Sequence, residues 1–403
     1  MAKIITRPIL LLSLVSLFAD IASEMLYPIM PLYLKSIGFS VALIGVLEGV
    51  AEATAGLSKA FFGKLSDTMG RRLPFVQLGY ALSTISKPMM GMFVFPLWVF
   101  FSRTLDRLGK GIRTGARDSM LSDETTKENK GKVFGFHRSL DTFGAVLGPI
   151  CALIYLEFYP AQYQTLFFLA FIPGIVVIGL TFLIKEKKHV EIPTKEVEAK
   201  PAFSFFSFLS YWKQSPLLYK RVAGGLLVFA LFNSSDIFLL LIAKQRGMSD
   251  SNVLYLYIFY NIIYALASYP LGSLADKVGF RTTLIFGLAM FTITYTGVAY
   301  AERLTTFYTI FFFYGLYAAA TEGVAKAWIS NIADTEDTAT AIGTFAGFSS
   351  LAALVASSWA GFMWNQFSPQ ATFLSTAAIA GLVMVYFVFL EQDVKNTQNI
   401  EGV

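Results

Sequence analysis

The sequence predicts an all-α membrane protein of twelve spanning helices, arranged as two six-helix pseudo-symmetric halves. Three observations carry this. The 403 residues are 55% hydrophobic and only 15% charged, with a mean hydropathy of +0.58, outside the range of an ordinary soluble enzyme. Apolar segments near the ~20 residues that a bilayer requires recur along the whole chain. A decapeptide pattern recurs at matching positions in the two halves.

The expected spans of the first half lie at 8–34, 41–64, 73–93, 97–121, 132–157 and 162–184. Those of the second half lie at 221–243, 252–274, 282–301, 305–330, 338–363 and 370–391. Residues 1–184 therefore form an N-terminal bundle and 220–403 a C-terminal bundle. The stretch between them, 185–219, is too charged to span. Its second part alternates aromatics with serine and ends in basic residues, which suits a short interfacial helix. The basic, apolar start (MAKIITRPILLLSLVSLFAD) has the look of a signal peptide. It runs on into more helix with Asp20 and Glu24, so an uncleaved first span is expected.

Loop charge gives the orientation. One side collects Lys3, Arg7, Lys64, Arg71, Arg72, Lys127, Lys130, Lys132, the cluster at 185–188, Lys220, Arg221, Lys277 and Arg281; the other carries Lys35, Lys244, Arg246 and Arg303. Basic loops stay in the cytoplasm, so both termini and the central stretch are expected there, in a multi-pass protein of a bacterial inner membrane. The same rule accounts for the net charge of +5 without nucleic acid. One cysteine, Cys151, allows no disulfide framework, and two histidines, His137 and His189, exclude a multi-histidine metal site. Met25, Met30, Met89, Met90 and Met92 could hold Cu(I), but methionine is a common helix filler. No metal site and no cofactor are expected, and no nucleophile–base spacing points to an enzyme.

The informative feature is the fourth span. It carries Arg103, Arg107, Lys110, Arg113 and Arg117 on one face, with Asp106 beside them and Asp118 at the edge. Charge at membrane depth costs at least ~2.5 kcal/mol per residue, so it persists where it faces a polar, protein-lined interior. Other spans supply carboxylates at one-turn spacing: Asp20 and Glu24 on the first, Glu48 and Glu52 on the second with Lys59 beyond them. The fifth stacks His137, Asp141, Gly144 and Gly148 on a stripe, with Arg138 to its side. The second half is softer. It offers Asn233 and Asp236 on the seventh span, Tyr257, Tyr260, Asn261 and Tyr264 on the eighth, and Tyr314, Tyr317, Glu322 and Lys326 on the tenth.

The repeated decapeptides are GKLSDTMGRR (63–72) and GSLADKVGFR (272–281), each after the second span of its half. With them the chain resembles the major facilitator superfamily over essentially its whole length. Gly63, Leu65, Asp67, Gly70, Arg71 and Arg72 match that family's loop signature, while Thr68 stands where a basic residue is usual. The second copy keeps Asp276 and Lys277. By this resemblance the Asp pairs with basic residues and a neighbouring helix end, so Asp67, Arg71 and Asp276 are expected to gate, with Arg117 and Asp118 near Asp67. Arg107-Leu-Gly-Lys110-Gly111 resembles a fourth-span signature whose arginine is linked to proton coupling. Gly144-Ala-Val-Leu-Gly148-Pro149 resembles the antiporter motif of the fifth span, which implies export.

The resemblance implies a secondary transporter whose halves rock about a midplane site lined by the first, fourth, seventh and tenth spans. The residues are consistent with proton-coupled export of a small amphipathic organic compound. A proton carrier needs a carboxylate whose protonation is set by an exchangeable partner. Asp20 and Glu24 with Arg107 are candidates for coupling, as are Asp141 and His137, since imidazole titrates near neutral pH. Glu48, Glu52, Arg103, Lys110, Asn233, Asp236, Tyr260, Asn261 and Glu322 are candidates for substrate contact. The alternative is an anionic substrate, such as an organic acid or siderophore, gripped by the fourth-span arginines. A metal-ion transporter and a non-transporting sensor are the remaining readings. The partners are the substrate, protons and the lipid bilayer, and a monomer is the family default.

Overall fold

The computed structural model describes residues 4–27, 29–186 and 209–400. Among them the regular structure is helical throughout, as lipid demands, because a helix satisfies its own backbone hydrogen bonds. Eight helices cover the first half: α1 (Arg7–Glu24), α2 (Met30–Ser36), α3 (Val41–Met69), α4 (Leu73–Met92), α5 (Pro96–Asp123), α6 (Lys130–Phe158), α7 (Tyr163–Leu169) and α8 (Phe171–Phe182). Then follow α9 (Leu209–Gln214), α10 (Leu217–Ala230), α11 (Ile237–Gln245), α12 (Asp250–Val278), α13 (Phe280–Tyr300), α14 (Leu304–Ile332), α15 (Thr338–Gln366) and α16 (Pro369–Ile400).

Seven described segments are long and apolar enough to cross a membrane, and they include α6 and α12 to α15. The other expected spans are interrupted or diluted by polar side chains, α5 most of all. The interfacial helix expected within 185–219 falls largely on 187–208, outside the described residues; the six-residue α9 follows it.

Three spans expected as continuous are divided. The first stops at Glu24 and resumes at Met30, where the sequence carries Pro28 and Pro31. A proline removes one backbone donor and clashes with the carbonyl four residues earlier. The sixth is interrupted at Ala170, between α7 and α8, where the backbone stays near helical values. The seventh opens over residues 231–236, between α10 and α11. Its Asn233-Ser-Ser-Asp236 run can bond locally to the backbone in place of the helical ladder. Ser357 Oγ accepts the Ser235 N–H at 3.3 Å, and Ser235 Oγ accepts that of Ile237 at 3.4 Å.

The chain packs as two compact units. One comprises Met1–Thr126, Leu147–Pro216 and Ala333–Ser350; the other comprises Lys127–Val146, Leu217–Ile332 and Leu351–Val403. Thus α6 and α15 are each shared, and glycine explains how. A Cβ on Gly131 of α6 would lie 2.4 Å from the Gly272 carbonyl of α12, and one on Gly63 of α3 would lie 2.5 Å from the Ala339 carbonyl of α15. Without side chains these backbones touch, the usual device for close packing in lipid. The first unit has an apolar core around Leu26, Tyr33, Leu34, Leu47, Leu166 and Phe167, where the Tyr33 hydroxyl donates to the Met90 carbonyl at 3.0 Å. Met25, Met30 and Met90 are buried in that core.

Candidate functional site

In the first unit the polar interior is built on α5. Its glycines let it sink against its neighbours: a Cβ on Gly109 would lie 2.6 Å from the Gly79 carbonyl of α4. Close approach buries the cationic face, and each cation then needs a partner. Arg103 makes a two-pronged pair with Glu48 of α3, at 3.0 and 2.9 Å. One turn on, Arg107 lies 3.5 Å from Glu52. Asp106 is shared by Arg103 at 3.6 Å and Lys87 of α4 at 3.4 Å. Arg113 donates to Ser83 at 2.8 Å and stacks over the Tyr80 ring at 4.3 Å. Arg117 pairs with Asp118 at 2.8 Å and donates to Ser16 of α1 at 2.9 Å. Lys110 differs: it is exposed, with no ion pair among the described residues. Glu24 and Asp20 act electrostatically on Arg107 and Lys110 respectively, so the structure draws α1, α3 and α5 into one ionic set.

The second unit holds a cluster of a different kind. Arg138 of α6 pairs with Asp141 at 2.7 Å and lies 3.7 Å from Glu322 of α14. It also donates to the Tyr264 hydroxyl of α12 and stacks over that ring at 5.1 Å. Beside this network, Asp236 sits where the seventh span opens. It accepts from the Tyr314 hydroxyl at 2.5 Å and the Tyr260 hydroxyl at 3.3 Å. No cation pairs with it among the described residues. The rings of Tyr260 and Tyr314 lie 5.0 Å apart, and those of Tyr314 and Tyr317 5.4 Å apart. Asn233 donates to the Tyr317 hydroxyl at 2.9 Å, leaving its buried Oδ1 without a partner.

The repeated aspartates do the same work in the two units. Asp67 accepts from the Thr340 N–H at 2.6 Å and the Thr340 hydroxyl at 2.8 Å, at the start of α15. Asp276 accepts the N–H groups of Gly131 and Lys132, both at 2.7 Å, at the start of α6. A carboxylate there meets unsatisfied donors and the positive end of the helix dipole. Asp67 lies beyond the span at 41–64. Burial raises its carboxyl to about 6, against the opposing pull of Arg72 and of the Thr340 donors.

Several placements differ from expectation. The buried partner of Asp67 is Arg72, at 3.3 Å; Arg71 is exposed. Arg72 also pairs with Asp123 and donates to the Thr335 carbonyl at 3.2 Å. Arg117 contacts Asp118 and Ser16 of α1. Asn261 turns back on its own helix, donating to the Tyr257 carbonyl at 2.9 Å. His137 is buried on α6 one turn from Asp141. Sequence reasoning missed Lys87, whose signal was a lysine inside an apolar span next to Pro88. It also missed Glu186, which accepts the N–H groups of Arg72 and Leu73 at the start of α4.

Comparison with known proteins places this architecture. The model of the Major Facilitator Superfamily matches residues 12–262 and 237–402. An uncharacterized MFS-type transporter of Methanocaldococcus jannaschii is 31% identical over 391 residues, 95% of each chain. A multi-drug resistance efflux pump PmrA homolog of Lactococcus lactis is 28% identical over 153 residues, 37% of this chain and 38% of that one. The human organic anion transporter MFSD10 has the same fold, with a TM-score of 0.78 at 16% identity, covering 94% of this chain and 99% of that one. The apolar helices, the repeated aspartates and these matches agree: the chain is a multi-pass membrane protein and belongs to the major facilitator superfamily.

Proposed function

We propose that this transporter exports a small amphipathic organic compound in exchange for protons. The observation that carries the reading is the ionic set of the first unit. Glu48, Glu52 and Asp106 have cationic partners within 4 Å, and Asp20 and Glu24 of α1 act on Lys110 and Arg107. A carboxylate with such a partner changes its proton affinity when the partner moves, which is what coupling requires. The motion is rocking of residues 1–184 against 220–403 about a midplane site. The Asp67 and Asp276 clasps tie each half to a helix start in the other, and they release and re-form as access alternates. The termini face the cytoplasm, and the protein works as a monomer in the cytoplasmic membrane. Likeness to a multi-drug efflux pump homolog supports export.

Proteoliposomes loaded with a pH-sensitive dye test this. Addition of a transported compound, drawn from a panel of organic cations, anions and neutral amphiphiles, is expected to drive a proton flux that Asp20→Asn abolishes. Transport that ignores an imposed pH gradient, and survives Asp20→Asn, contradicts the reading.

A second reading, transport of an organic anion, is favoured by Lys110, exposed and without an ion pair among the described residues. Arg103 and Arg107 are committed to carboxylates, so Lys110 is the cation left to receive an anion. Under this reading Lys110→Gln removes binding of an anionic probe such as benzenesulfonate, and Arg107→Lys weakens it.

A further inference from the structure

Among the described residues, the deep carboxylates Glu48, Glu52, Asp106, Asp118 and Asp141 each face an arginine or a lysine. Asp236 is the exception that bears on cargo. Among the described residues its side-chain donors are the neutral hydroxyls of Tyr260 and Tyr314, and the charge that acts on it is the like charge of Glu322. Arg138, the cation of this unit's network, already serves Asp141, Glu322 and the Tyr264 hydroxyl. A carboxylate at membrane depth without a fixed cation is costly to keep, and such residues mark a place where an exchangeable positive group arrives.

The surroundings specify what that group is. Tyr260, Tyr314 and Tyr317 are 8%, 3% and 4% exposed, whereas Asp236 is only half-buried. The rings therefore form packed walls around the less buried Asp236. Aromatic rings attract a weakly hydrated organic cation. Asn233 Oδ1, buried and without a partner, supplies a second acceptor on the same opened segment. A hard divalent ion wants six or more oxygen ligands, and no group of three or more acidic, histidine or cysteine ligands exists among the described residues. An anion would meet Asp236 and Glu322, and Arg138 beside them is already paired.

We propose that Asp236, Asn233 and the tyrosines around them form a subsite for a positively charged nitrogen group bearing N–H donors, a protonated amine or amidine, on an organic substrate. This rests on the reading of the protein as a transporter of organic compounds and names the chemistry of its cargo. The N–H donors go to the Asp236 carboxylate and Asn233 Oδ1, and the organic body lies against the rings of Tyr260, Tyr314 and Tyr317. Tyr314, held by Asp236, positions the carboxylate.

The test uses the purified full-length protein in lipid nanodiscs and three probes of nearly one shape: benzamidinium, neutral benzamide and anionic benzenesulfonate. Calorimetric titration is expected to show benzamidinium binding at least tenfold tighter than benzamide, with no displacement by benzenesulfonate. Asp236→Asn is expected to weaken benzamidinium at least tenfold while leaving benzamide within twofold. Should that variant not fold, Asn233→Ala and Tyr314→Phe serve instead, each lowering benzamidinium affinity severalfold with the same indifference to benzamide. Equal affinity for benzamidinium and benzamide, or undiminished benzamidinium binding in these variants, overturns the subsite. The two readings fail separately. Gradient-driven proton flux with another compound, but no benzamidinium binding, removes the subsite alone. Benzamidinium binding that depends on Asp236, with no compound moving protons, removes the coupling alone.

Discussion

The two units treat buried charge in opposite ways. On α5 positive charges are met by carboxylates from α3 and α5 itself, in pairs of 2.9 to 3.6 Å. Around Asp236 a negative charge is met by tyrosine hydroxyls, and the cation of that neighbourhood is occupied elsewhere. The first arrangement is balanced within the protein, so its loss is felt as instability. The second is balanced when something else arrives, so its loss is felt in binding. A count of charged residues in the sequence cannot separate these two, since it sees only totals.

The largest expected effect follows from breaking a pair. Arg103→Ala leaves Glu48 and Asp106 short of a partner, and breaking a buried pair costs ~3–5 kcal/mol. Because the Glu48 side chain is 34% exposed, the low end, about 3 kcal/mol, is expected. Thermal unfolding in detergent measures it, with Glu48→Gln in the Arg103→Ala background recovering part of the loss. Full stability in Arg103→Ala would show that the ladder is not balanced within the protein.

Packing comes next. Gly109→Ala places a Cβ 2.6 Å from the Gly79 carbonyl, whereas Gly224→Ala on α10 meets nothing within 4 Å. Overpacking costs typically ~1–3 kcal/mol, so the first lowers the unfolding midpoint and the second leaves it nearly unchanged. Equal effects would mean that close approach does not hold the cationic face of α5 in place.

Tyr314→Phe removes the 2.5 Å donor to Asp236. Hydrogen bonds to charged groups contribute ~1.5–3 kcal/mol, but the Tyr260 hydroxyl still donates to Asp236. A loss of about 1 kcal/mol, smaller than for Arg103→Ala, is expected in the same assay. A loss as large as that of Arg103→Ala would erase the contrast between the units.

A separate effect, read in pH dependence, concerns the Asp67 clasp. Its carboxyl is raised from the ordinary value of 3.8 to about 6. The clasped form therefore binds the proton more tightly than the released form. Its stability is greatest at low pH, declines as pH rises from about 4 to about 6, and is flat above. Asp67→Asn is expected to flatten the difference between acid and neutral unfolding midpoints. An unchanged pH profile would show that Asp67 does not titrate in this window.

Much of the architecture was readable beforehand, because spanning length and loop charge are strong signals and each decapeptide marks the same turn in its half. Function-bearing irregularities were harder to read. Pro28 and the Asn233-Ser-Ser-Asp236 run were both visible, yet hydropathy averages over them and two spans were expected unbroken. Lys87 was hidden by its apolar neighbours, and its partner Asp106 lies on a different helix. The choice of Arg72 over Arg71 at the clasp depends on how the chain leaves α3, which a motif match does not resolve. The tyrosines around Asp236 are scattered over α12 and α14, and only packing brings them to one carboxylate.

The central claim is that the cargo's charge is met by Asp236 and not by α5. The most direct test compares benzamidinium and benzenesulfonate flux side by side, in proteoliposomes under an imposed pH gradient. The account predicts gradient-dependent movement of benzamidinium, lost in Asp236→Asn, with benzenesulfonate left behind. Gradient-driven movement of benzenesulfonate, lost in Lys110→Gln while benzamidinium stays put, would contradict it.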